Sequence, residues 1–132
     1  MQSIEIAKRQ ITYHHDITLT YKIKIIRTVY TNKQSNKKYV RYKIRIPDEL
    51  QQILQYENRI YFNKIDDVMH ISTMENEYTV YDCKIQKSSF NKRIEYSFNL
   101  SKKVFEVEGY NYFIWTVKIE NNKISDSIVM LE

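Results

Sequence analysis

Apolar and polar residues alternate with a period of two along most of this chain, the pattern of strands that bury one face. From Ile17 to Ile25 the residues Ile17, Leu19, Tyr21, Ile23 and Ile25 alternate with Thr18, Thr20, Lys22 and Lys24. The phase flips at Ile25-Ile26, which predicts a bulge. Within Val40–Ile46, Tyr42, Ile44 and Ile46 face one way and Arg41, Lys43 and Arg45 the other. The arrangement recurs with Ile94, Tyr96, Phe98 and Leu100 set against Glu95, Ser97 and Asn99, and again with Phe113, Trp115, Val117 and Ile119. Shorter strands are predicted at Ile4–Ile11, Arg59–Ile65, Val68–Ser72, Tyr78–Ile85 and Ser127–Leu131.

Gly109 is the sole Gly and Pro47 the sole Pro, so turns are read from clusters of Asn, Asp, Ser and Lys. These fall at Tyr30–Lys38, Asp66-Asp67, Met74–Glu77, Lys87–Lys92 and Asn121-Asn122. One short helix is predicted after Pro47, where the acidic pair Asp48-Glu49 suits a helix N-terminus and Leu50, Ile53 and Leu54 follow with helical spacing. A second helical turn, capped by Ser101, is predicted over Ser101–Glu106. The expected fold is all-β: an antiparallel, OB-like barrel of about eight strands with one short helix, in which no long apolar edge is left open, with a sandwich as the alternative.

A chain of 132 residues suits one domain over residues 1–132, and 42% apolar residues supply a core for it. The single cysteine, Cys83, excludes an intrachain disulfide and points to a reducing, cytoplasmic setting. The N-terminus lacks the apolar run of a signal peptide, and no stretch approaches the ~20 apolar residues of a membrane helix, so no membrane partner is expected. The net charge of +5 favours an acidic neighbour, although the basic residues are spread through the strands and not gathered in one run.

No catalytic or metal-binding constellation emerges. His14, His15 and His70 lack the spacing and companions of a zinc site, and His14-His15 is expected in a turn. Carboxylate pairs such as Asp66-Asp67 and Glu75/Glu77 occupy predicted turns, where Asp is favoured for backbone reasons. Cys83 alternates in phase with Tyr81 and Ile85, the position of a packed thiol, and a single Gly precludes a glycine-rich phosphate loop. Neither catalysis nor a cofactor is expected.

Binding is the remaining function class. The basic stripe Lys37, Lys38, Arg41, Lys43 and Arg45 places alternate cations on one strand face, with Tyr30 and Tyr39 available to stack on bases, as in single-strand-binding barrels. Twelve Tyr suit either an interface or plain strand formation. The segments RYKIRIPDEL and RIYFNKIDDVMHIS have an echo about 54 residues on, EYSFNLSKKV and YFIWTVKIENNKIS. Both copies read strand, short helix, strand, turn, strand. The unit resembles the AbrB-like swapped-hairpin module of DNA-binding regulators and antitoxins, which implies DNA contact through basic strand residues. The second copy departs from it, with Ser101 in place of the Pro and Lys102-Lys103 in place of the acidic pair.

A wider resemblance runs through EYTVYDCKIQ and IEYSFNLSKKVFEVEG, with Glu77, Tyr78, Tyr81, Tyr96, Ser97, Phe98, Val107 and Gly109 as the matching residues. These segments, with Val40–Ile65 upstream, are similar to the small eighth subunit (RpoG) family of archaeal and eukaryotic DNA-directed RNA polymerases. Asp82 and Asn99-Leu100 replace glycines of that family. The resemblance implies a non-catalytic structural subunit docked on the largest polymerase subunit and supporting transcription, with nucleic acid reached only through the complex. The implied protein interface is Tyr78, Tyr81, Tyr96, Phe98 and Leu100. A free AbrB-like regulator and a single-strand-binding barrel are the alternatives.

Overall fold

The structure is a computed structural model that describes residues 16–54, 56–102 and 105–132. The predicted strand at Ile4–Ile11 and the turn at His14-His15 lie outside the described residues. Those residues hold ten strands, β1 (Ile17–Lys24), β2 (Ile26–Thr31), β3 (Lys38–Arg45), β4 (Arg59–Ile65), β5 (Val68–Ser72), β6 (Thr79–Lys84), β7 (Gln86–Phe90), β8 (Arg93–Leu100), β9 (Tyr112–Glu120) and β10 (Lys123–Leu131). One helix, α1 (Asp48–Leu54), follows Pro47 as predicted and buries Leu50 and Leu54. At the second predicted helical turn the Phe105 N–H donates to the Ser101 carbonyl at 3.0 Å, but Lys103 and Val104 lie outside the described residues.

The strands form two antiparallel sheets. The larger has the order β1-β9-β10-β5-β4-β6, the smaller β2-β3-β8-β7. Three two-residue turns close hairpins at Asp66-Asp67, Asn91-Lys92 and Asn121-Asn122, with both residues of each at positive φ. Such turns match the twist of the strands they join, and Asn and Asp tolerate the left-handed backbone that Gly would otherwise supply. Scarcity of Gly therefore costs the fold little at its tightest bends.

The phase flip at Ile25-Ile26 is a sheet crossing, not a bulge within one strand. β1 ends in the large sheet, Ile25 is buried with its N–H donating to the Asn111 carbonyl at 2.9 Å, and β2 begins in the small sheet. Ile85 does the same between β6 and β7, donating to the Asn58 carbonyl at 2.8 Å.

These two crossings belong to an internal symmetry of the whole topology. Exchanging β1–β5 with β6–β10 turns each sheet order into its own reverse. Registers obey the same exchange: Tyr21 lies opposite Trp115 where Tyr81 lies opposite Phe62, and Ile44 of one half faces Phe98 of the other. The repeat read from Arg41 onward thus extends back to the first described strand of each half. Each half gives its first strand to the other half's hairpin.

The core fills the space between the sheets. Phe98, Phe113 and Trp115 are fully buried and meet edge-on, with centroids 5.8–6.1 Å apart, and Phe62 joins Phe98 at 6.0 Å. Such geometry adds to their area burial. Trp115 Nε1 has no hydrogen-bond partner among the described residues. Asn63, buried at a β4–β6 register shift, donates to Ser72 Oγ at 2.8 Å and accepts from Thr79 Oγ1 at 2.6 Å, so its polar ends are satisfied.

Phe98→Ala removes the ring at the centre of this cluster and should cost about 3–5 kcal/mol. Urea unfolding followed by Trp115 fluorescence measures it; a loss under about 1 kcal/mol would contradict the packing described.

Candidate nucleic-acid interface

Beyond the seam with β8, strands β2 and β3 continue as a two-stranded arm. β3 pairs with β8 only over Tyr42–Arg45, whereas its pairing with β2 runs from Lys43 out to Lys38. No third described strand therefore pairs with the part from Thr28 to Arg41 in the small sheet. Val29, Tyr30 and Tyr39 are exposed on it. Gln34 and Ser35 N–H groups donate to Asn32 Oδ1 at 2.9 and 3.3 Å, and Asn36 takes a positive φ, which shapes the loop at the arm's tip.

On the outward face of the arm, Tyr30 and Tyr39 sit directly opposite each other with their rings stacked at 5.8 Å. The Arg41 guanidinium lies 4.7 Å from the Tyr30 centroid and 5.7 Å from that of Tyr39. Stacking of this kind holds a guanidinium in place without consuming its charge on a carboxylate. Lys43 follows Arg41 on the same face, and Lys37 and Lys38 stand at the arm's outer end.

Arg45 differs from the rest of the predicted stripe. It meets Asp48 at 3.0 Å and Glu95 at 3.2 Å, so its charge is compensated within the chain. Without it, Arg41 and Lys43 share the outward face, Lys38 alternates to the other face of the ribbon, and Lys37 stands at the ribbon's outer end.

Charge is more segregated than the spread of cations along the sequence suggests. From Ile17 to Pro47 there are nine Lys and Arg and no Asp or Glu, while the rest of the chain has twelve cations against sixteen carboxylates. Only Lys22, on Glu132 at 2.7 Å, and Arg45 pair with a described carboxylate. Lys24 on β1, Arg27 on the ribbon face opposite Arg41 and Lys33 in the tip loop are also exposed, and the signal that finds them is the absence of acid over a long window. Unpaired cations at this density repel one another and are neutralised best by a polyanion.

The residues expected to form a protein interface do not come together on the surface. Phe98 and Leu100 are in the core, since their face of β8 is the one turned toward the large sheet. Tyr81 packs on Phe62 and its hydroxyl donates to the Asn99 carbonyl at 3.3 Å, tying β6 to β8, and Tyr96 is half-buried against the core. Tyr78 alone of the five is well exposed, beside Val80.

His70 lies on the larger sheet with Nδ1 3.0 Å from Asp126 Oδ1. Among the described residues no three His, Cys, Asp or Glu side chains gather as metal ligands, and no helix is long and apolar enough to cross a membrane. Comparison with protein families, with curated proteins and with solved structures finds no match to this chain.

Cys83 is packed inside, as its phase in β6 predicts. Burial pushes its thiol from 9.0 up to about 12, with the Asp82 carboxylate acting in the same direction and Arg59 against it. Below pH 9 both folded and unfolded chains keep this proton, and between 9 and 12 only the folded chain does. Ionisation in that window favours unfolding, so stability should fall as pH rises through it. Burial raises the Tyr81 phenol too, with the same sign. Urea midpoints at pH 8 and pH 11 should drop more in the wild type than in Cys83→Ala; equal drops would place the thiol in water.

Proposed function

We propose that this chain is a non-catalytic DNA-binding module that grips the phosphate backbone through the β2–β3 arm. The observation that carries the reading is the acid-free run from Ile17 to Pro47, folded into a ribbon on which Lys37, Lys38, Arg41 and Lys43 meet no described carboxylate. A two-stranded ribbon fits the major groove of B-DNA, and backbone contacts by Lys and Arg supply affinity through counterion release. The internal symmetry, with a strand exchanged between halves, is also what the AbrB-like resemblance leads one to expect of a DNA-binding regulator. Tyr30 and Tyr39 stack on each other beside Arg41, so one face of each ring is already covered before a base arrives, which favours duplex over single strand.

A second reading, the docked RNA polymerase subunit, is favoured by Tyr78, Val80 and Met74, which expose apolar surface beside the edge strand β6. In that reading the sheets are the walls of a partly open, OB-like barrel with its corners at Ile25 and Ile85, and nucleic acid is met only through the assembly.

Fluorescence anisotropy on a labelled duplex at several salt concentrations separates the two. For the free module, log K should fall with log salt with a slope of roughly −3 to −5, and Lys38→Glu/Arg41→Glu should reduce affinity more than tenfold and flatten that slope. Salt-insensitive binding, or a double variant that binds as the wild type does, would defeat the DNA reading and leave the docked subunit.

A further inference from the structure

The internal symmetry gives the molecule a second arm. β7 and β8 pair from Gln86 and Ser97 out to Phe90 and Arg93, register for register with β2 and β3, and only the inner end of β8 pairs with β3. Because β3 and β8 are antiparallel and cross at Ile44 and Phe98, the arms leave the small sheet in opposite directions. Lys38 stands six residues beyond Ile44 along one strand, and Arg93 five residues beyond Phe98 along the other. At ~3.3 Å per residue the arm ends are about 36 Å apart along the strands, close to the ~34–36 Å of one turn of B-DNA.

The surface between the arms suits the same partner. Lys43 and Asn99 lie opposite each other at mid-sheet. Glu95, the counterpart of Arg41, and Asp48 are both held on Arg45, so that face carries no uncompensated described carboxylate between one arm and the other. At the far arm Lys92 and Arg93 are exposed.

We propose, resting on the DNA-binding reading above, that a duplex lies along the strands of the small sheet and is held at two points one helical turn apart. The β2–β3 arm is the principal grip and the β7–β8 arm, through Lys92 and Arg93, the secondary one. Both arms then meet the same groove, one turn apart on the same side of the DNA.

Duplex length tests this, because about 10–10.5 base pairs make a turn and a shorter duplex cannot reach both arms. Binding of the full chain to 8- and 20-base-pair duplexes is measured at several salt concentrations, for the wild type, for Lys92→Asn/Arg93→Gln and for Lys38→Glu/Arg41→Glu, with circular dichroism confirming that each is folded. Asn suits the positive φ of position 92. The wild-type salt slope should be steeper on the longer duplex by about 1.8, from two added phosphate contacts, and the Lys92/Arg93 variant should erase that difference while binding the short duplex as the wild type does. Equal wild-type slopes on both lengths, or an unaltered slope in the Lys92/Arg93 variant, overturn the two-point grip while the Lys38/Arg41 variant still upholds the DNA reading. No duplex binding by the wild type overturns both.

Discussion

Each half of this chain lends its first strand to the other, and this exchange is the constraint from which the rest follows. β1 completes the hairpin of β9 and β10, and β6 completes that of β4 and β5. The exchange obliges the chain to pass from one sheet to the other at Ile25 and at Ile85, and it sets Phe62 and Trp115 in equivalent places around Phe98. Besides the exchanged strands, the halves meet across two further antiparallel seams, Ile44 against Phe98 in the small sheet and Ile128 against His70 in the large one. Long-range pairings of this kind are slow to form, since loop closure precedes their reward, but once formed they leave one shared core and not two marginal ones.

That arrangement explains why the arms exist. A strand that crosses from the large sheet emerges at the border of the small one, where its partner strand outruns the central seam. The excess length has no core to cover. It carries residues chosen for water, cations and each other, as the stacked Tyr30 and Tyr39 under Arg41 illustrate.

For the same reason the arms are where sequence pattern is weakest. β1, β3, β8 and β9 announce themselves because each buries one face, and the period of two is the trace of that burial. Ile26–Thr31 is exposed at nearly every position and its last two residues fall in the predicted turn at Tyr30–Lys38, while Gln86–Phe90 falls, all but Gln86, in the predicted turn at Lys87–Lys92, so neither is predicted as a strand of its own. Phe98 and Leu100 lie on the apolar face of β8 that alternation marks for burial, and they are in the core, whereas the resemblance placed them at an interface. Asp66-Asp67 and Asn121-Asn122 were legible as turns because their chemistry is local. The exchange of strands was not, since equivalent strands pair as readily within a half as between halves.

Joining the two halves in one chain has a consequence that a pair of separate subunits would lack. A two-fold homodimer must present every residue twice, so a change that strengthens one contact alters its mate as well. Here the counterparts are free to differ: Arg41 answers to Glu95, Lys43 to Ser97 and Lys22 to Asp82, on backbones that keep the same register. The covalent link also makes the pairing of halves intramolecular, so dilution does not dissolve it. The fold thereby keeps the geometry of a dimer while letting its two ends specialise.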